Sequence, residues 1–269
     1  MKAVAFMYHD VTPAGREDAS GLPGGDAARY KLEPEQFNGH LRAIAAAAAG
    51  PAITVDTADL QSARLPLLLT FDDGGSSAVR IADLLERLGW RGHFFVTGAY
   101  IDRPGFLGRR DIRALRSSGH AIGSHSFSHP LRMAHLPAGR LGEEWTQSVA
   151  LLSDILGERV TIASVPGGDH SRAVTRAAAD AGIRFLFTSV PRVHVRRAGA
   201  VSVIGRYVVQ RSTGPRIVAS VAAGSALPRA RQLALWESKK VVKAVAGRAY
   251  LMIRNRVLGG SRNVRWGDA

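Results

Sequence analysis

The stretch LPLLLTFDDGG (Leu65–Gly75) is an apolar run that ends at two adjacent carboxylates and two glycines. The run shows no polar alternation, so it reads as a strand buried on both faces, the pattern of a parallel sheet covered by helices. Two like charges at the end of such a strand are costly unless a counter-charge meets them. Successive residues of extended backbone point to opposite sides, so Asp72 and Asp73 have different tasks: one can bind a cation while the other faces substrate or water. Gly74 and Gly75 allow a tight turn and a close approach of ligand to backbone. The plainer alternative is a pair of N-cap acids before the helix that follows.

Outward from this stretch the chain alternates strands and helices. Residues 2–8 (KAVAFMY) form a short apolar strand, and 13–31 a polar Gly/Pro-rich loop. A helix from about Glu33 ends at Gly50-Pro51. Ser76 or Ser77 caps a helix over 78–89. The segments 92–98, 121–126, 161–166, 184–189 and 201–209 read as strands, separated by helices over 109–119, 141–157 and 173–182. Repeated units of this size predict an α/β fold with parallel strands, open or closed into a barrel. The chain of 269 residues is 46% hydrophobic, enough for one large domain with an appendage. It has no cysteine, so any metal must be held by His, Asp or Glu. The first ten residues are too short an apolar run for a signal-peptide core, and no stretch approaches the roughly 20 apolar residues of a membrane span. The expected compartment is the cytoplasm.

In parallel α/β folds functional groups gather at the carboxyl ends of strands, where Asp72 and Asp73 lie. The second constellation is GSHSFSHP, with His125 and His129 four apart. That spacing sets two imidazoles on one side of a turn, and with a carboxylate from another strand end it makes an Asp/His/His site with open positions for water and substrate. The third is SVPGGDHS (Ser164–Ser171), a turn whose backbone N–H groups could face a developing oxyanion.

TFDDG (Thr70–Gly74), HSFSHP (His125–Pro130) and PGGDHS (Pro166–Ser171), in this order, resemble the first three motifs of the polysaccharide deacetylases, carbohydrate esterase family 4. The resemblance implies a distorted (β/α) barrel, with Asp73, His125 and His129 holding a divalent metal, zinc by preference. It implies Asp72 as general base, taking the proton of the water that attacks an acetamide carbonyl. The backbone N–H of Gly167, after Pro166, would complete the oxyanion site. Two departures stand out. The arginine expected two residues before Pro166 is replaced by Ser164, and Arg206 from a later strand is the candidate to orient the base instead. The usual C-terminal Leu-x-His, source of the acid histidine, is missing. AFMYHD (Ala5–Asp10) is similar to the first strand of the biofilm-polysaccharide deacetylase branch, which implies His9 as general acid and Asp10 as its orienting neighbour; His170 and His194 are weaker candidates.

Of the formal charge of +14, +8 falls in residues 224–269. The expected organisation is therefore a catalytic domain over 1–223 and a basic helical extension over 224–269. In the extension, an apolar stripe (Leu235, Val242, Val245, Ala246, Ala249, Met252, Ile253) runs beside Lys239, Lys240, Lys243 and Arg254, with Trp236 and Tyr250 as interfacial rings. This fits either packing on the barrel or contact with an anionic membrane, where a lipid-linked sugar would be met. Nucleic acid is not an expected partner, since the tail has no recognition module. The expected function is N-deacetylation of an N-acetylated sugar, an intermediate of exopolysaccharide or glycoconjugate biosynthesis. The alternatives are an amidohydrolase of a small non-sugar amide and a catalytically silent carbohydrate- or lipid-binding protein.

Overall fold

The computed structural model of the chain describes residues 1–238. Among these residues the strands are β1 (Val4–Tyr8), β2 (Leu67–Phe71), β3 (Gly92–Val96), β4 (Ala121–Ser124), β5 (Ile162–Ser164), β6 (Phe185–Thr188), β7 (Arg196–Ala198), β8 (Val201–Gly205) and β9 (Tyr207–Val208). The α-helices are α1 (Gly25–Ala28), α2 (Pro34–Ala47), α3 (Ala78–Glu86), α4 (Arg109–Ser117), α5 (Ala138–Leu156), α6 (Arg172–Asp180) and α7 (Pro215–Ala222), and a further helix runs over 227–238.

The strands form one sheet in the order β7-β8-β6-β5-β4-β3-β2-β1-β9. The ladders are parallel, apart from the antiparallel pair β7–β8. β8 and β9 lie at opposite flanks of this order yet are separated in the chain by Arg206 alone. A single segment thus pairs with β6 through its first half and with β1 through its end, Phe6 opposite Tyr207 and Met7 opposite Val208. The sheet curls until this segment closes it, giving the distorted (β/α) barrel.

Both faces of the strands are covered, which is why LPLLLTF carries no polar alternation. Leu67, Leu69 and Phe71 pack outward with Phe6, Tyr8 and Phe94 against Phe37, Leu41 and Ile44 of α2. Each such side chain contributes about 1.5–3 kcal/mol by leaving water. Leu68 belongs to the other face, in a cluster with Ala5, Phe95, Phe187 and Ile204 that fills the barrel. Gly123 in β4 leaves room for this filling, since a Cβ there would stand 2.6 Å from the Phe95 ring. With a period of two, the inward face of β2 continues from Leu68 through Thr70 to Asp72, which emerges at the carboxyl mouth of the barrel.

The helix boundaries follow local chemistry. α2 starts with Pro34 at its first position and stops before Gly50-Pro51, and α5 ends on Gly157 in the left-handed conformation. Ser77 is the N-cap residue of α3 but makes no capping bond; its hydroxyl donates to Asp10 instead, at 2.7 Å. The expected extension begins as the helix over 227–238, hydrogen-bonded to the barrel. Arg229 donates to the carbonyl oxygens of Val221 and Gly224 at 3.3 and 2.5 Å. The Gln232 amide accepts from Val208 N and donates to Val208 O, both at 2.8 Å, meeting β9 as another strand would. The basic and apolar stripe expected over 239–254 lies outside the described residues. Among the described residues no helix is long and apolar enough to cross a membrane.

Candidate active site

Asp72 emerges from the barrel into the fork of Arg206. The guanidinium donates to Oδ1 at 2.6 Å and to Oδ2 at 2.9 Å, a bidentate ion pair in which Arg206 is fully buried and Asp72 is 4% exposed. The same guanidinium donates to the Thr70 hydroxyl at 2.9 Å, the Ser164 hydroxyl at 2.7 Å and the Thr188 carbonyl at 3.2 Å. Its carbon lies 5.6 Å from the Phe95 ring centroid and 6.0 Å from that of Phe187, so the charge rests on the aromatic floor of the barrel. Burial works to raise the Asp72 pKa, but the charge of Arg206, that of His125 and the Arg206 hydrogen bonds hold it below the usual carboxylate range. Arg206 occupies the joint between β8 and β9, so barrel closure itself delivers it. Ser164, which stands where an arginine was expected, donates to Asp72 Oδ2 at 3.2 Å and leaves space for the incoming side chain.

Asp73 turns the other way. Its Oδ1 is 3.4 Å from His125 Nε2 and 3.4 Å from His129 Nε2. The turn needs unusual backbone: Asp73, Ser126 and His129 have φ of 76°, 63° and 58°, left-handed values that cost a non-glycine residue of order 1 kcal/mol each. The His125–His129 loop compensates through a set of side-chain bonds. Glu144 of α5 accepts from the N–H groups of Phe127 and Ser128 at 3.0 and 2.8 Å and from the Ser128 hydroxyl at 2.5 Å. Ser126 Oγ accepts from His129 N at 3.1 Å, and Ser124 Oγ from Ser126 N at 3.1 Å. Burial opposes ionisation of Asp73, yet hydrogen bonds from His125 and His129 hold its carboxyl well below the usual range. Burial likewise opposes the charged form of His129, and Asp73 outweighs it, raising the imidazole above its ordinary value.

This donor set fits a divalent cation. One ligand atom from each of Asp73, His125 and His129 lies within 4.8 Å of the others. His125 Nδ1 is 3.1 Å from the Ser164 carbonyl, which can only accept, so the ring proton sits there and Nε2 presents its lone pair to the cluster. One carboxylate and two imidazoles are borderline ligands of the kind that leaves positions open for water and substrate.

The third motif reaches the same rim. Pro166–Gly168 is a short 3-10 turn in which Gly167 has φ of 60°, and a Cβ on Gly167 would lie 3.2 Å from the Leu131 carbonyl, two residues beyond His129. Asp169 Oδ2 accepts from Ala134 N at 3.2 Å and ties the two loops together. His9 follows β1 at its carboxyl end, beside the acid pair: Asp72 N donates to Tyr8 O at 3.0 Å. Asp10 is engaged elsewhere. Its Oδ1 accepts from Ser20 at 2.6 Å and Ser77 at 2.7 Å, so it joins the N-terminal loop to α3, and its hydrogen bonds go to these serines rather than to His9. Burial raises the Asp10 pKa. His170 Nε2 lies 2.7 Å from the Thr175 hydroxyl, and His194 bridges to Lys2 on the β7 side.

Sequence reasoning missed Glu144, although a signal was present. Leu141, Glu144, Trp145 and Ser148 share the buried face of α5, and a carboxylate on an apolar helical stripe needs partners. It also left Arg206 without its partners Thr70 and Thr188, because nothing local announces which strand closes a barrel.

Residues 61–186 match the family model described as polysaccharide deacetylase. Among curated proteins, YxkH of Bacillus subtilis is 26% identical over 144 residues, 53% of this chain and 51% of that protein, so the match spans about half of the relative's length. The peptidoglycan-N-acetylglucosamine deacetylase PgdA of Listeria monocytogenes is 42% identical over 67 residues, 24% of this chain and 13% of that protein. Among solved structures, the Streptococcus pyogenes deacetylase PplD in complex with acetate superposes with a TM-score of 0.66 at 15% identity, covering 80% of this chain and 95% of that one. IcaB from Ammonifex degensii gives 0.65 at 21% identity, covering 82% of this chain and 97% of that one. The stretch that holds both acids, both histidines and the Pro166–Gly168 turn is thus the part that matches the polysaccharide deacetylase model, and the barrel around it has the fold of solved deacetylases.

Proposed function

We propose that this chain is a metal-dependent N-deacetylase that hydrolyses an acetamide on an N-acetylated sugar. The observation that carries this reading is the division of labour in the acid pair: Asp72 is clamped by Arg206, while Asp73 converges with His125 and His129. Asp73, His125 and His129 would hold the ion, with zinc the best match to one oxygen and two nitrogen donors. When bound, such an ion supplies Lewis acidity toward carbonyl and water oxygens. Asp72, kept ionised and aimed by Arg206, accepts the proton of the attacking water as the new carbon–oxygen bond forms. The Gly167 N–H receives charge developing on the carbonyl oxygen. His9 gives a proton to the departing nitrogen as the carbon–nitrogen bond breaks, so acetate and a free amine result.

The test is metal analysis together with acetate release from N-acetylglucosamine oligomers. Wild type should bind metal and release acetate, and Asp72→Asn should keep the metal and lose turnover by at least about 100-fold. Wild type with bound metal but no turnover on sugar or simple amides would replace this reading with a binding protein on the same scaffold. The substrate is read further as an intermediate of polysaccharide or glycoconjugate assembly on the cytoplasmic side. The excess of basic residues over 224–269 supports peripheral contact of that extension with anionic lipid, and with it a lipid-linked sugar. Flotation with anionic vesicles, comparing the full chain with one ending at Ser238, tests that part; equal flotation would remove it.

A further inference from the structure

His9 has a carboxylate beside it in the chain but not as a hydrogen-bond partner. Asp10 is taken by Ser20 and Ser77, and the His9 Nδ1 is buried with no hydrogen-bond partner among the described residues. A histidine that passes protons is ordinarily oriented by a bond at its second ring nitrogen. What His9 packs against instead is the ring of Tyr30, with centroids 4.8 Å apart and planes inclined by 36°.

Tyr30 is fixed by its neighbours on both sides. Its N–H donates to the Ala27 carbonyl at 2.9 Å, and the preceding Arg29 carbonyl accepts from Arg211 N at 2.8 Å. The next residue, Lys31, is 2% exposed and donates its ammonium to the carbonyl oxygens of Glu17, Ser20 and Leu22 at 2.7, 2.6 and 2.7 Å. Leu32 N then donates to Asp10 O at 3.0 Å, which returns the strap to the residue after His9. These bonds fix the backbone on which the Tyr30 ring stands, and the ring itself is half-buried against His9.

Resting on the reading of His9 as the proton donor, we propose that Tyr30 is the positioning residue for His9, its ring setting the imidazole by packing where a carboxylate bond would otherwise do so. The local electrostatics suit this substitution. A third carboxylate at Nδ1 would add repulsion beside the Asp72 and Asp73 pair. An aromatic wall restricts rotation and adds no charge.

The test uses the full metal-loaded chain with N-acetylglucosamine oligomers as probe. Tyr30→Ala should lower kcat about tenfold with KM changed by no more than about twofold, and Tyr30→Phe should restore turnover because the ring makes the contact. In a His9→Ala background the Tyr30→Ala change should have no further effect, since its action runs through the imidazole. A readout independent of activity is the ring-current shift of the His9 imidazole protons in NMR, expected in wild type and Tyr30→Phe and lost in Tyr30→Ala. Equal losses from Tyr30→Ala with and without His9, or a Tyr30→Phe as impaired as Tyr30→Ala, would overturn the proposal while His9 keeps its role. A His9→Ala that turns over like wild type would overturn the proton-donor reading itself, and the positioning role with it.

Discussion

Replacing Arg206 by methionine exchanges a buried guanidinium for an apolar chain of similar reach. Five hydrogen bonds go: two to Asp72, and one each to Thr70, Ser164 and Thr188. The neutral partners are partly provided for, since Thr70 still donates to Phe6 O at 2.7 Å and Ser164 still donates to Asp72. The carboxylate is not: Asp72 is 4% exposed and loses its bidentate counter-charge. Breaking a buried pair from one side costs about 3–5 kcal/mol. Arg206→Met should therefore lower unfolding stability by about 4 kcal/mol, read by urea denaturation with tryptophan fluorescence, and reduce kcat/KM by about 100-fold as the base loses its alignment. The double variant Arg206→Met/Asp72→Asn should recover about 2 kcal/mol of that stability while remaining inactive, because a neutral amide no longer needs the cation. A stability loss below about 1 kcal/mol, or a double variant no more stable than the single one, would refute the stranded-charge account.

Three further outcomes follow from the same geometry. Asp73→Asn and His129→Ala should each weaken divalent metal binding by at least about 100-fold in equilibrium dialysis, whereas Asp72→Asn should retain it. Glu144→Gln touches no proposed ligand, yet loosening the Phe127–Ser128 backbone should cost about 10- to 100-fold in metal affinity; wild-type affinity would show that the loop holds itself. His93 is fully buried, and burial pushes its pKa from 6.5 down to about 4, with Val55 N donating to Nε2 at 2.8 Å. The unfolded chain therefore takes up a proton below about pH 6.5 that the folded chain refuses until about pH 4, so stability falls as pH drops through that window, by about 3 kcal/mol in all. Comparing urea midpoints of wild type and His93→Gln at pH 7 and 4.5 measures this, and identical pH slopes would refute it.

The barrel was largely legible because its strands carry their signal locally. LPLLLTF, GHFFV and VSVIG are predominantly apolar runs without regular polar alternation, and such runs between helices have few stable arrangements other than a covered parallel sheet. The acid pair and the two histidines were legible as chemistry because these residue types, placed at strand ends, are costly without a partner. Asp10 shows where this local reading stops. Its position beside His9 suggested an orienting role, but consecutive residues at a strand end diverge, and Asp10 points to Ser20 and Ser77. Glu144 and Tyr30 act on residues 15 and more positions away, at distances only packing sets.

By itself, then, the sequence determined the α/β alternation, the place of Asp72, Asp73, His125 and His129 at the carboxyl ends of strands, and a supply of oxygen and nitrogen donors without thiolate. Tertiary structure alone decided how the charges are compensated. Closure of the sheet through the segment 201–208 brings Arg206 across 134 positions to Asp72. A buried ion pair is a contact between surfaces that only folding brings together, so its partner is found by following the sheet around the barrel rather than by reading along the chain.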